Sequence, residues 1–404
     1  MELKPVQLSE RIVSLDVLRG FAVLGILLIN IQSFAMIEAA YLNPLAYGNF
    51  EGINRWVWIV SYLFGDMKFM ALFSILFGAG VVLFTERLEE KGINPLKIHY
   101  RRIMWLLLFG LLHAYLLWYA DILVIYSLCA VWVVLFRKKK PGTLLVAGLL
   151  FLSVASLLYL MAGLSMPWWS DADKQGLMQD WLPSAEWIQE EIAAYRGSWT
   201  EQMEMRVESA LMMQVFVFFF LFVWRAGGLM LIGMALFKWG ILSLQKSKKF
   251  YLNVLTFCLI PGLIVVGWGI KNNLDAGFSL EYSFFLGFQY NYWGSILVSF
   301  GYIALIMLWI KSGYLKVLIR SLQAVGRMAF TNYIFQTIIC TTLFYGHGFG
   351  RYGKMERSEQ LLVVICIWIF QLTISPLWLN RFRYGPLEWL WRSLTYRRVV
   401  PFKN

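Results

Sequence analysis

Histidine occurs three times and cysteine four times in these 404 residues, and only 15% of the chain is charged. Soluble domains carry closer to a quarter charged residues. So low a share, beside 59% hydrophobic and 17% aromatic residues, excludes an ordinary water-soluble globule and points to a chain that crosses a membrane many times. The histidines form no His-x-x-x-His or similar pattern. Cys129, Cys258, Cys340 and Cys366 lie inside apolar stretches with no Cys-x-x-Cys pair. A structural metal site or redox pair therefore lacks donors at workable spacing, the cysteines read as small buried hydrophobes, and no tightly bound cofactor is expected. The net charge of +12 raises nucleic acid as a partner, but the lysines and arginines stand in short clusters between apolar stretches. They make no continuous basic stripe, which argues against that partner. No internal repeat is evident, so sequence symmetry lends nothing to an inverted-repeat transporter.

What the chain has in abundance is long apolar runs. A membrane-crossing helix takes about 20 mostly apolar residues, and ten stretches qualify: 17–37, 67–85, 103–119, 121–136, 143–163, 211–237, 250–270, 287–310, 322–345 and 360–380. The Trp-rich 54–64 stretch is shorter and reads as an interfacial helix before the second span. The first run is long for a signal peptide and carries Asp16 and Arg19 at its near end, so an uncleaved helix is expected there. Basic loops at 86–102, 137–142, 238–249 and 311–320 and a basic tail alternate with non-basic loops. The 346–359 loop, with Arg351, Lys354 and Arg357, fits this alternation least well. Lysine and arginine accumulate on the cytoplasmic side, which predicts an all-α polytopic bundle with both termini cytoplasmic.

The chain reads as a single integral membrane domain over 1–404 with two distinctive segments. The 164–210 segment holds nine acidic residues against Lys174, Arg196 and Arg206, and five tryptophans. It is expected outside the cytoplasm as interfacial helices, with a lid over an outward cavity as the sharper alternative. The 381–404 tail, basic and aromatic, reads as a cytoplasmic segment meeting anionic lipid. Membrane lipids are thus expected partners, and apolar helix faces allow a homodimer.

Ionisable and polar residues inside spans are costly, so they mark candidate sites. Asp16 and Arg19, three apart on one helix face beside Gly20, stand at the mouth of the first span. Dipole compensation and snorkelling would explain them structurally; ligand access would explain them functionally. Asn30 lies about 21 Å farther along that helix, where an interhelical hydrogen bond is its structural explanation. His113 lies about 16 Å outward from Arg102 and can act as a general base or as a packed, satisfied imidazole. Asp121 is a formal partner, but eight helical residues put it about 12 Å away. It therefore reads as the N-cap of the next helix, and Tyr126 as the nearer facing residue. Arg225, near mid-membrane beside Gly227 and Gly228, needs an anion, carbonyls or water. Asn332 and Gln336 share a helix face, and His347 sits in a glycine-rich outer turn. Asn30, His113, Gln336 and His347 all fall in the outer half, which predicts a shared cavity opening outward with Arg225 at its floor.

Five stretches carry a resemblance. "SLDVLRGFAVLGILLINI", "KFMALFSILFGAG", "RRIMWLLLFGLLHAYLLWYADILVIYSL", "AVGRMAFTNYIFQTIIC" and "YGPLEWLWRSLTY" resemble, over nearly the full length, the bacterial YeiB-type inner-membrane family of unknown function, for which transport has been suggested. More distantly, the first span is similar to that of integral-membrane acyltransferases, including heparan-glucosaminide N-acetyltransferase. Asp16, Arg19 and Gly20 match the Asp-x-x-Arg-Gly mouth of that group, and Asn30 matches the polar residue 14 positions on. The group's downstream catalytic His has no counterpart, since no His occurs between Asn30 and His99. His113 is the residue left to take that role.

The resemblance implies acyl transfer from a cytoplasmic acyl-CoA co-substrate to an extracytoplasmic sugar, lipid or wall component. His113 would be the base, with Asn30 orienting the acyl group or acceptor. Asp16 and Arg19 would shape donor access, and Arg225 would stabilise an oxyanion or hold the donor. Tyr126, Asn332 and Gln336 complete the expected binding set. A proton-coupled or anion-binding small-molecule transporter would use the same residues, with helix breaks at "FGAG" (77–80) or "AGG" (226–228).

Overall fold

The computed structural model of the protein describes residues 11–404. Among them no β-strand forms, apart from one isolated bridge between Phe382 and Lys403. Continuous apolar sequence leaves the helix as the way to satisfy every backbone amide internally, and the chain folds as helices α1 (Val13–Ala35), α2 (Ala39–Leu42), α3 (Gly52–Phe64), α4 (Lys68–Glu90), α5 (Pro95–Leu116) and α6 (Ile122–Val133). There follow α7 (Pro141–Ser165), α8 (Asp171–Trp181), α9 (Ala185–Arg196), α10 (Met203–Met212), α11 (Val223–Lys238), α12 (Lys248–Val254) and α13 (Ile260–Asp275). The last five are α14 (Phe288–Ser312), α15 (Lys316–Arg327), α16 (Ala329–Phe344), α17 (Arg357–Arg381) and α18 (Pro386–Tyr396). π-Helical turns at Met213–Phe222 and Leu255–Leu259 join α10 to α11 and α12 to α13.

Among the described residues seven helical stretches are long and apolar enough to cross a membrane: Val13–Ala35, Gly52–Glu90, Pro141–Trp168, Met203–Lys238, Lys248–Asp275, Glu281–Ser312 and Arg357–Arg381. The protein is therefore a multi-pass helical membrane protein. Large apolar side chains such as Phe257, Ile264, Trp268 and Leu164 stand exposed on its flanks, where lipid replaces water. Three of the ten expected stretches differ from a plain spanning helix. Ile122–Phe136 is apolar but short. α5 starts earlier than expected and takes in Lys97, Arg101 and Arg102. The 322–345 stretch is broken at Met328, where α16 restarts because Glu388 accepts its first amides, Phe330 N (2.7 Å) and Thr331 N (3.1 Å). The 164–210 segment forms three helices, two of them capped by Ser170 and Ser184.

α1 is the axis of the bundle. It packs on α4, α15, α16 and α17, and its residues from Ser14 to Leu18 are all buried. Its contact with α15 is backbone to backbone: a Cβ added at Gly20 would fall on the Leu322 carbonyl, and one at Gly326 on the Asp16 carbonyl. Small residues at facing positions permit that approach.

Candidate functional site

Ile12, the residue before α1, and Asp16, Arg19 and Ile26 on α1 form a stripe that follows the helical repeat and lines a cavity of about 340 Å³. Asp16 is buried and accepts from Arg19 Nη1 at 3.0 Å and Arg11 Nη1 at 3.2 Å. It thereby fixes two guanidiniums at the cavity rim, at the helix end where a carboxylate is favourable. The rim also carries Arg87, Lys91, Arg102, Arg327 and Arg392. Arg102 is sandwiched between the rings of Phe84 (4.8 Å) and Trp391 (4.5 Å), and Arg392 stacks on Tyr384 (4.6 Å). The remaining rim acid, Glu388, is occupied as the cap of α16. Burial raises its carboxyl above the usual range, and the hydrogen bonds from Thr331 oppose that rise. Farther in, the wall is apolar and aromatic, formed by Leu76, Phe73, Phe77, Ile122, Tyr126 and Tyr333. The cavity thus joins a cationic mouth to an apolar throat. It opens at the N-terminal end of α1, opposite to the outward cavity expected from the sequence.

Tyr333 faces the throat and also packs on the imidazole of His113, ring centroids 5.2 Å apart. His113 and Asp121 are both buried, and His113 Nδ1 lies 2.7 Å from Asp121 Oδ2. The expected 12 Å separation is wrong because α5 stops at Leu116. The amides of Leu117 and Trp118 both turn back to the His113 carbonyl (3.0 and 2.9 Å), and residues 117–121 reverse the chain. Gly110 lets the start of α6 approach closely, since a Cβ there would meet Val124 N and Asp121 Oδ1. Asp121 is also the expected N-cap, its Oδ1 accepting from Val124 N at 2.7 Å. One carboxylate does both tasks with its two oxygens. His113 Nε2 lies 2.9 Å from Thr337 Oγ1. The expected facing of His113 and Tyr126 is corrected: Tyr126 lines the throat, donates to the Met70 carbonyl (3.0 Å) and accepts from Ser74.

The other expected residues are not gathered there. Asn30 is half-buried on α1, one turn beyond Ile26 on the same face, and is not part of the cavity lining. Asn332 donates to the Val325 carbonyl and to Ser375, and Gln336 donates to the Val23 carbonyl and to Gln371. These two tie α16 to α1 and α17. His347 lies against the Tyr345 ring in the turn after α16. Arg225 is fully buried without lining the cavity, donating to the Tyr292 carbonyl (2.9 Å) and Ser295 Oγ (2.7 Å), with Tyr292 as its ring partner. Among the described residues, Asn30, His113, Gln336, His347 and Arg225 do not line this cavity, so it is not the outward cavity with Arg225 as floor that was expected.

Sequence reasoning missed Tyr333 and Thr337, one turn apart inside an already marked apolar motif, and it missed Asp66 and Lys68. These last two flank Met67, whose left-handed φ of 63° breaks the chain between α3 and α4. Asp66 accepts from Tyr41 and Asn291, and Lys68 donates to Asn291 Oδ1 and the Tyr62 carbonyl. A Gly-Asp-x-Lys run inside an apolar stretch was the available signal.

At the opposite end of the bundle, Glu38 accepts from Tyr195 and Ser209, while Glu191 accepts from the Glu38 amide (2.9 Å) and Tyr352 (2.6 Å). Burial first, then the charge of Glu191, pushes the Glu38 carboxyl from 4.5 up to about 8, and burial raises Glu191 as well. Between those two values the folded state holds a proton that the unfolded state releases, so the stabilisation is complete at low pH and declines as pH rises through that window. The attachment of α9 and α10 to the end of α1 should therefore loosen from about pH 5 to about pH 8. Hydrogen exchange over residues 185–212 measures this. Glu38→Gln should flatten the pH dependence, and an unchanged profile in that variant would assign the effect elsewhere.

A family model described as a protein of unknown function (DUF418) matches residues 236–398. The uncharacterized protein YxaH of Bacillus subtilis is 34% identical over 423 aligned positions, covering 99% of this chain and 98% of its own. The uncharacterized protein YeiB of Escherichia coli is also 34% identical, covering 97% of this chain and 98% of its own. An uncharacterized 39.9 kDa protein of Bacillus acidopullulyticus is 29% identical over 98% of this chain. No solved structure matches the chain.

Proposed function

The chain belongs to the family of uncharacterized bacterial proteins that includes YeiB and YxaH, and on that premise we propose that it is an integral-membrane acyltransferase. The donor is a cytoplasmic acyl-CoA, used as a co-substrate rather than a resident cofactor, and the acceptor is an extracytoplasmic sugar, lipid or wall component. In the proposed topology α5, α6 and the α15–α16 pair join the seven long apolar helices to make ten passes of the bacterial inner membrane. The basic loops and both termini are then cytoplasmic, and the cavity mouth opens to the cytoplasm.

One observation carries the reading: a cationic mouth leads through an apolar throat to Tyr333, whose ring backs onto the His113–Asp121 pair. An acyl-CoA is polyanionic at one end and apolar at the other. Among the described residues Lys91, Arg102, Arg327 and Arg392 have no carboxylate within ion-pair distance, so they are available to phosphates, for which arginine offers paired donors. Asp121 holds the imidazole in the orientation needed to take a proton. Asp16 and Arg19 shape the rim, while Asn30, Asn332, Gln336 and Arg225 support the helices around the site.

The test is acyl-CoA binding and CoA release by purified protein in detergent. Binding with slow release is expected for the wild type; His113→Ala should retain binding and lose release. Arg102→Gln and Arg392→Gln should each weaken binding about tenfold or more and reduce its salt dependence. A folded protein that binds no acyl-CoA at millimolar concentration overturns the reading.

A small-molecule transporter is the second reading, favoured by the break at Gly65–Met67 inside the Gly52–Glu90 stretch. Buried Lys68 and Arg225 lie near it, and interrupted spans with charged residues are characteristic of transport sites. The breaks expected at 77–80 and 226–228 do not occur, because both runs lie within continuous helices α4 and α11.

A further inference from the structure

In a direct transfer, Nε2 of His113 would face the acceptor. In this protein it faces a side chain. Asp121 Oδ2 accepts at 2.7 Å from Nδ1, so the proton sits on Nδ1 and Nε2 presents its lone pair to the Thr337 hydroxyl at 2.9 Å. The competing acceptor for that hydroxyl, the Tyr333 carbonyl, lies at 3.5 Å, the limit of a hydrogen bond. Carboxylate, imidazole and hydroxyl thus stand in the order that activates a nucleophile. Thr337 is one helical turn beyond Tyr333 on the same face of α16, behind the throat wall, so a substrate reaches it only if the Tyr333 ring turns aside. The Tyr333 hydroxyl accepts from the Ile122 amide at 3.4 Å and keeps its own proton to donate to a carbonyl oxygen.

We propose that Thr337 carries the acyl group as a covalent ester, so that transfer proceeds in two half-reactions; this rests on the acyltransferase reading above. In the first, Thr337 Oγ attacks the thioester carbonyl carbon while its proton passes to His113 Nε2. The carbon–sulfur bond breaks, and the departing thiolate takes that proton to leave as free CoA. In the second, an acceptor hydroxyl gives its proton to Nε2 and its oxygen attacks the ester carbonyl. The carbon–Oγ bond breaks, and the proton returns to Thr337. Both Thr337 and His113 are buried, which keeps water from the ester between the two steps.

The experiment incubates full-length protein in detergent with acetyl-CoA or octanoyl-CoA, without acceptor, and follows CoA release and intact protein mass. A burst of one CoA per chain is expected, with a matching acyl mass gain that peptide mapping places on Thr337 and alkaline hydroxylamine removes. Thr337→Val, close in shape, should lose both the burst and the adduct, slowing release about 100-fold or more. Thr337→Ser should keep the adduct. Steady CoA release with no adduct, unchanged in Thr337→Val, overturns the covalent carrier and leaves direct acyl transfer standing. No CoA release by a folded wild-type protein that binds acyl-CoA also overturns the carrier and leaves direct transfer standing, whereas no binding at millimolar acyl-CoA overturns the acyltransferase reading and the carrier with it.

Discussion

Asp121→Asn is expected to lower the rate of CoA release by about three to four orders of magnitude while leaving the protein folded. The two roles of Asp121 separate in this variant. An asparagine oxygen can still accept from Val124 N and cap α6, so the helix start survives. The second oxygen becomes an NH₂ group, which donates to His113 Nδ1 and forces the ring proton onto Nε2. The imidazole then offers Thr337 a proton where it had offered a lone pair. Stopped-flow CoA release measures the loss, and a thermal unfolding scan in the same detergent checks the fold. A rate within tenfold of wild type would show that the pair serves packing alone.

Gly326→Leu should abolish accumulation of folded protein. Gly326 faces the Asp16 carbonyl and Gly20 faces the Leu322 carbonyl, so α1 and α15 meet at their backbones. Overpacking commonly costs about 1–3 kcal/mol where side chains can yield. A backbone carbonyl cannot move without separating the two helices, so the cost should exceed that range. The same change pulls Asp16 and its paired arginines from the cavity rim. Gly80→Ala is the matched control, because open space surrounds a Cβ at Gly80 although that residue also lines the cavity. Size-exclusion profiles of the two variants give the comparison; a monodisperse Gly326→Leu protein of normal stability would show that the contact is not tight in solution.

Much of the membrane architecture was legible in the sequence because it depends on local quantities. A run of apolar residues long enough to span a bilayer, or an Asp-x-x-Arg mouth at a helix start, is recognised without knowing its neighbours. A separate short helix at 54–64 was legible for the same reason and is α3, Gly52–Phe64, although it runs into the apolar stretch Gly52–Glu90 and is not set apart from it at an interface. Residues whose importance comes from a partner distant in sequence were not legible. Thr337 meets His113 across 224 positions, and Glu388 caps α16 from 57 or 58 positions away.

The case of His113 and Asp121 shows where the division falls. Their separation of eight positions is a local fact, and a helix running through both would keep them about 12 Å apart. What brings them to 2.7 Å is the reversal after Leu116, which leaves the Asp121 carboxylate to cap one helix and hold the imidazole of another. By itself the sequence determined that this chain fills a membrane with helices, because hydropathy and backbone hydrogen bonding act residue by residue along the chain. The tertiary structure alone decided which polar side chains meet and toward which end the cavity opens. Those outcomes depend on where helices stop and how closely their backbones approach, and both are set by contacts between distant segments.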